Sequence, residues 1–143
     1  MILGLDVSTS IIGVCLLKDN KIVKADYIDL RKTTGLLHKA QVVEDYINHN
    51  LKHVEIEHIF IEQALMFFRR GGSTAKTMST LQNFNGVVSW LCFKMLELEP
   101  QYVTPISARS KCGIKVPRGK KAKEVVMEHF LETGEFPIDY TRY

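Results

Sequence analysis

The fold of this chain is decided by its first seventeen residues, MILGLDVSTSIIGVCLL, from Met1 to Leu17. An apolar run ends at a single carboxylate, Asp6, passes through small hydroxyl residues and resumes at Ile11. A buried strand reads as a continuous apolar run, and an acid in it is costly unless it is paired or binds a cation. Because open α/β sheets bind ligands at the carboxyl ends of their strands, Asp6 stands where such a ligand would lie. The alternative is an Asx-turn or cap that only ends the strand.

Length and composition predict one ordinary domain. The chain has 143 residues, 45% of them hydrophobic, which is enough for one globular core. Its three cysteines are odd in number and have no CxxC spacing, which argues for a reducing compartment and against zinc or disulfides. No basic leader precedes the first apolar run, and the apolar runs are too short to span a bilayer. We expect a single domain over residues 1–143, cytoplasmic and without a membrane partner.

Basic residues are concentrated in the middle of the chain. Between Arg69 and Lys123 there are eleven Lys and Arg residues against Glu97 and Glu99. Such a block is typical of a polyanion partner, most often nucleic acid. The alternative is a solvated helix face. Gly113 and the other loop-forming residues near the end of the block argue against it, because they do not favour a helix there.

The order of apolar patterns predicts strands first and then strands alternating with helices. The expected strands are 2–5, 11–17, 21–30, 58–62 and 102–104, with a turn at 19–20, and the expected helices are 35–51, 74–98, 106–112 and 120–132. This order implies a mixed α/β sheet with helices packed over it.

A second acid, Glu62, ends the fourth predicted strand. If the first and fourth strands are parallel neighbours about 4.8 Å apart, Asp6 and Glu62 lie side by side. Like charges at that distance repel, and a hard divalent cation with oxygen ligands, Mg²⁺ or Mn²⁺, relieves the repulsion. The sequence therefore predicts a metal site at Asp6 and Glu62.

The helix predicted over 74–98 has more apolar surface than one sheet can bury. We expect a second apolar stripe on it to pack against the same helix of a second copy, which would make the protein a homodimer. This predicted dimer interface consists of Leu81, Phe84, Val88, Leu91 and Met95. Trp90 is expected in the core or in the same interface.

Three segments together resemble the RuvC family of Holliday junction resolvases, and more closely its bacteriophage members. They are ILGLDVSTSIIGVCLL with Asp6, IFIEQA with Glu62, and ISARSKCGIKVPRGKKAKEVVMEHF. The resemblance implies a ribonuclease H-like fold with a mixed five-stranded sheet flanked by helices. It also implies a homodimer that uses Mg²⁺ (or Mn²⁺) to nick Holliday junctions, forks or other branched DNA in pairs.

The resemblance assigns Asp6 and Glu62 as the first two catalytic, metal-binding acids. The family completes its site with two further acids close together on a final helix. After the basic block no such pair follows, and Asp139 is the nearest candidate. We therefore expect that the C-terminal acidic helix is missing from these 143 residues.

Two groups of residues are candidates for DNA contact. The loop after Glu62 carries Phe67, Phe68, Arg69 and Arg70, and aromatics beside cations stack on unpaired bases and hold phosphates. The alternative is that one or both phenylalanines belong to the core. The resemblance implies that Arg109, Lys111 and Lys121 contact the scissile-strand phosphate. Lys115, Arg118 and Lys120 are interpreted as phosphate contacts that position the DNA.

Two rival functions stay open on sequence grounds. An actin-like or sugar-kinase ATPase also has a strand of the pattern apolar-Asp-x-Ser/Thr, but that class needs a second domain to close over the nucleotide. A catalytically silent ribonuclease H-like module that recognises branched DNA is the other alternative, since the further acids are not found. The five histidines have no partner at ligand spacing and are interpreted as surface or packing residues.

Overall fold

One five-stranded sheet forms the centre of the fold. The computed structural model describes residues 1–64 and 74–134. The strands are β1 (Ile2–Asp6), β2 (Ile11–Lys18), β3 (Lys21–Asp29), β4 (His58–Glu62) and β5 (Gln101–Val103). Their order is β3-β2-β1-β4-β5, with antiparallel pairing among β1 to β3 and parallel pairing of β4 with both β1 and β5. The expected mixed five-stranded sheet is confirmed.

The tight turn between β2 and β3 is where the sequence predicted it. Asp19 and Asn20 have φ angles of 52° and 63°, in the left-handed region. Short polar Asp and Asn tolerate that region better than most residues, and two such positions match the right-handed twist of a two-residue hairpin. The turn lies at the opposite end of the sheet from Asp6, because β1 and β2 pair in antiparallel register.

In the described part of the chain four helices flank or follow the sheet, and their bounds lie within two residues of the predicted ones when α1 is taken together with its π-helical continuation. They are α1 (Leu36–Tyr46), which continues as a π-helix over Ile47–Leu51, then α2 (Ala75–Leu96), α3 (Pro105–Lys111) and α4 (Ala122–Thr133). Threonine caps begin two of them: the Thr74 hydroxyl accepts from the Thr77 amide in α2, and the Thr104 hydroxyl accepts from the Ser107 amide in α3.

The core lies between one face of the sheet and the helices α1 and α2. Alternate residues of the strands point into it, as expected for strands with one buried face. Its strand members include Leu3, Leu5, Ile12, Val14, Leu16, Ile59 and Ile61, and its helical members include Val43, Ile47, Leu51, Phe84, Val88, Leu91 and Cys92. The side chains on the opposite face of the sheet do not belong to this core.

The predicted dimer stripe on α2 is wrong for its central residues. Phe84 and Val88 are 0% exposed and Leu91 is 8% exposed within a single copy of the chain. They are buried because α2 turns this side toward the sheet and α1. Leu81 and Met95 are half-buried, and Met95 packs against the same core.

The outward side of α2 carries two aromatic residues instead. Trp90 is 56% exposed and Phe93 is 49% exposed, with ring centroids 6.2 Å apart. The alternative that Trp90 belongs to the core is therefore wrong. Among the residues that the structure describes, no helix combines the length and the apolar character that crossing a bilayer requires.

Candidate functional site

Asp6 and Glu62 end neighbouring strands on the same face of the sheet. The parallel pairing of β1 with β4 joins Leu5 to Ile61, and the two acids are the next residue on each strand. Leu5 and Ile61 point into the core, and strand side chains alternate between faces. The two carboxylates therefore face away from the core, at the carboxyl ends of their strands.

The loop after Asp6 is held by the hydroxyl group of Ser8. The Ser8 hydroxyl donates to the Ile11 carbonyl at 2.6 Å and accepts from the Ile11 amide at 3.0 Å. Gly13 is the β2 partner of Asp6, and a Cβ at Gly13 would lie 3.6 Å from the Asp6 Cβ. This distance is an ordinary van der Waals contact, so Gly13 lies directly beside Asp6 without crowding it.

The backbone of Glu62 is fixed from the α2 side by a buried amide. The side chain of Asn85, on α2, is buried. Its Nδ2 donates a hydrogen bond to the Glu62 carbonyl at 3.2 Å. On the other side, the Gln63 amide donates to the Val103 carbonyl of β5 at 2.8 Å. Asn85 is not among the site residues predicted from the sequence, although a polar residue between the apolar positions of α2 was a signal for it.

A cavity of about 470 Å³ opens over the two acids. The sheet, α3 and α4 each contribute to its lining. The lining residues are Asp6 and Glu62 from the sheet, Pro105 and Arg109 from α3, and Ala122, Lys123, Val126, Met127, Phe130 and Leu131 from α4. One part of the cavity is therefore charged and the part formed by α4 is mainly apolar.

Asp6 and Glu62 interact electrostatically with each other and with the charged side chain of Lys123. Loss of hydration raises the pKa of Asp6, and the positive charge of Lys123 opposes this rise. Loss of hydration also raises the pKa of Glu62; the negative charge of Asp6 adds to the rise, whereas Arg109 and Lys123 oppose it. Both carboxylates thus lie in one electrostatic environment in which a nearby positive charge favours their ionised forms.

The acid pair suits a hard divalent cation. Carboxylate oxygens are the donors that Mg²⁺ and Mn²⁺ prefer, and the mutual repulsion of the pair is what such a cation relieves. Within 1–64 and 74–134, no three or more Asp, Glu, His or Cys side chains gather closely enough to hold a metal ion. These residues therefore supply two protein ligands, and water or phosphate oxygens would complete the coordination shell.

The structure brings some of the predicted DNA-binding residues to the cavity and leaves others outside it. Arg109 lines the cavity. The remaining basic candidates of the third segment do not line it and are exposed between the last residue of α3 and the N-cap of α4: Lys111, Lys115, Arg118, Lys120 and Lys121. The candidates Phe67, Phe68, Arg69 and Arg70, and also Asp139, lie outside the described residues.

Lys123 is a site residue that the sequence analysis did not select. Lys123 lies in the basic block. Residues three, four and seven positions apart share one face of a helix, so Lys123 lies on the same face of α4 as the apolar residues Val126, Met127 and Phe130. That spacing was the signal for its direction. What the sequence lacked was the knowledge that this face of α4 looks toward the acids.

The fold resembles solved structures of RuvC from Thermus thermophilus. In one, described as RuvC in complex with a Holliday junction substrate, the TM-score is 0.63 at 12% identity, with 99% of this chain and 82% of that chain covered. In another RuvC structure the TM-score is 0.60 at 11% identity, with 93% and 78% covered. No protein-family model and no curated protein sequence matches the chain. The chain thus has the ribonuclease H-like fold that these RuvC structures share.

Proposed function

We propose that this chain is a divalent-metal-dependent endonuclease that binds and symmetrically nicks Holliday junctions or other branched DNA. The observation that carries the proposal is the pair of strand-end carboxylates, Asp6 and Glu62, facing Arg109 and Lys123 across one cavity. Support comes also from the RuvC-like fold. The proposal includes membership of the bacteriophage branch of that family and action in the cytoplasm of the host cell.

Each group has a role in this proposal. Asp6 and Glu62 would hold Mg²⁺ or Mn²⁺, and the ion would supply activation of water and stabilisation of negative charge for the hydrolysis of a phosphodiester. Arg109 and Lys123 bind the phosphate oxygens and orient the scissile strand. Asn85 fixes the Glu62 backbone by its hydrogen bond to the carbonyl oxygen, so it is a positioning residue.

The proposal requires two copies of the chain. A four-way junction has two strands to be nicked at symmetric positions, and one copy of the acid pair provides one site. A two-fold homodimer presents two sites with matching symmetry. The exposed lysines of the third segment would then contact phosphates outside the cavity, where they strengthen binding without reading sequence.

A catalytically silent module that binds branched DNA is the second candidate. It is favoured by one specific observation: Arg109 and Lys123 place two positive charges opposite the two carboxylates in the same cavity. A site balanced in this way can hold a phosphate without a metal ion. The structural resemblance to RuvC is the same for both candidates.

A nicking assay separates the two candidates. The wild-type chain is incubated with a four-way DNA junction or with linear duplexes of the same sequence, in Mg²⁺ or in EDTA. The nuclease predicts paired nicks at symmetric positions in the junction, in Mg²⁺ alone, and little cutting of the linear duplexes. Binding of the junction with no nicks in either Mg²⁺ or Mn²⁺ supports the silent module and contradicts the nuclease.

A further inference from the structure

Lys123 and Arg109 face the acid pair across the cavity and form no ion pair with it. In the part of the chain that the structure describes, the ion pairs lie on β3 and in the segment just after it. Both cations nevertheless act electrostatically on Glu62, and Lys123 acts on Asp6 as well. The carboxylates and the cations are thus close enough to influence each other and still leave room for a ligand between them.

Lys123 lies on the cavity side of α4. It shares this face of the helix with Val126, Met127 and Phe130, and all of them line the cavity. The helix therefore places one positive charge in the wall of the cavity that holds the two acids.

A positive charge in the cavity wall has opposite effects on the two ligands of the proposed nuclease. It makes the potential at Asp6 and Glu62 less negative, so it weakens the binding of a further cation. It also attracts a phosphodiester, whose negative charge then neutralises Lys123 and restores the attraction between the acids and the cation. The two ligands would therefore bind more tightly together than either does alone.

We infer, on the basis of the proposed function, that Lys123 couples metal binding to DNA binding: it keeps Asp6 and Glu62 a weak divalent-cation site until a DNA phosphate enters the cavity. The coupling is reciprocal, because DNA that raises the affinity for the metal must have its own affinity raised by the metal to the same extent. Such a chain would bind its metal mainly when DNA is already bound, and would hold little metal in the absence of DNA.

The test is Mn²⁺ binding, measured by calorimetry on the full chain without DNA. Lys123→Met keeps the length of the side chain and removes its charge, and we expect it to bind Mn²⁺ about tenfold more tightly than the wild type, from the loss of one charge near a divalent ion in a partly wet site. Lys21→Met is the matched control, since it removes the same charge at the hairpin end of the sheet. Lys123→Arg keeps the charge and should bind Mn²⁺ as weakly as the wild type.

A second titration adds a short unbranched DNA duplex as the source of phosphate. We expect the duplex to tighten Mn²⁺ binding by the wild type about tenfold and to have little effect on Lys123→Met. Mn²⁺ held by the DNA itself is subtracted with the Asp6→Asn, Glu62→Gln double variant. Thermal melting followed by circular dichroism verifies that each variant is folded.

Two results would overturn the coupling. One is a Lys123→Met chain that binds Mn²⁺ no more tightly than Lys21→Met; the other is a wild-type chain whose Mn²⁺ affinity is unchanged by the duplex. Failure of the nuclease is a separate outcome. A wild-type chain that shows the expected Mn²⁺ affinities but nicks no branched DNA would contradict the nuclease and keep the coupling.

Discussion

Asp6 and Glu62 are the residues that follow the paired positions Leu5 and Ile61 on two neighbouring parallel strands. This relationship places two carboxylates on one face of the sheet, where loss of hydration raises the pKa of each. A fold gains nothing from such a pair in the absence of a cation. Local features that oppose stability are expected at functional sites, and the acid pair is such a feature.

The first prediction concerns stability and pH in EDTA. The acids have ordinary pKa values of 3.8 and 4.5, and both are raised in the folded chain. A raised pKa means that the folded state binds the proton more tightly, so the pair destabilises the fold once the pH rises above these values. We expect the Asp6→Asn, Glu62→Gln double variant to melt at the same temperature as the wild type near pH 3.

The difference should grow with pH in this comparison. As the pH rises through the raised pKa values toward neutrality, the double variant should become the more stable protein. Added Mn²⁺ should stabilise the wild type alone. A wild type that is the more stable protein at neutral pH in EDTA would show that the carboxylates support the fold.

The second prediction concerns the two sides of α2. Phe84 is completely buried, so Phe84→Ala should lower the free energy of unfolding by about 3–5 kcal/mol. Trp90 is a larger side chain on the same helix but is more than half exposed, so Trp90→Ala should cost less than about 1 kcal/mol. Denaturant unfolding of both variants, at protein concentrations low enough that the chain is a monomer, measures the difference. Equal losses would mean that α2 is rotated relative to the sheet.

Much of the fold could be read from the sequence because its signals are local. Alternation of apolar residues identified the strands. Because Asp6 and Glu62 each end a strand, they could be predicted to lie side by side if β1 and β4 were parallel neighbours. The face of α2 that enters the core could not be predicted in the same way. This helix has apolar residues on more than one side, and only packing determines that Phe84 rather than Trp90 is buried. Lys123 was missed for a related reason, since the direction of α4 depends on tertiary contacts.

The third prediction concerns the exposed lysines at the start of α4. If Lys120 and Lys121 each contact a phosphate, the variant with both changed to Ala should bind a four-way junction more weakly and with a shallower salt dependence. The slope of log affinity against log salt should fall by about 1 to 2, because each contact releases close to one counterion. Lys18→Ala with Lys21→Ala, at the far end of the sheet, should leave the slope unchanged. An unchanged slope in the first variant would assign its lysines to the solvated surface.

The fourth prediction concerns the homodimer. With Phe84 and Val88 in the core, the exposed aromatic pair Trp90 and Phe93 is the apolar surface that α2 can offer to a second copy. We expect the wild type to sediment as a dimer, and Trp90→Glu with Phe93→Glu to sediment as a monomer, because buried unpaired charges would oppose association. Leu37→Glu, at an exposed apolar position of α1, is the control and should stay dimeric. A wild type that remains a monomer at high concentration would contradict symmetric nicking.

The central claim is that Asp6 and Glu62 perform metal-dependent chemistry on branched DNA. It is tested most directly by measuring junction nicking in Mg²⁺ and junction affinity in EDTA on the same preparations of the wild type, Asp6→Asn and Glu62→Gln. The account predicts that each variant loses nicking by at least about a hundredfold, because a metal-binding oxygen is lost. In EDTA, where no metal contributes to binding, each should bind the junction as tightly as the wild type or more tightly, because a negative charge beside the phosphate is removed. Variants that nick at the wild-type rate, or that lose binding together with nicking, would contradict it.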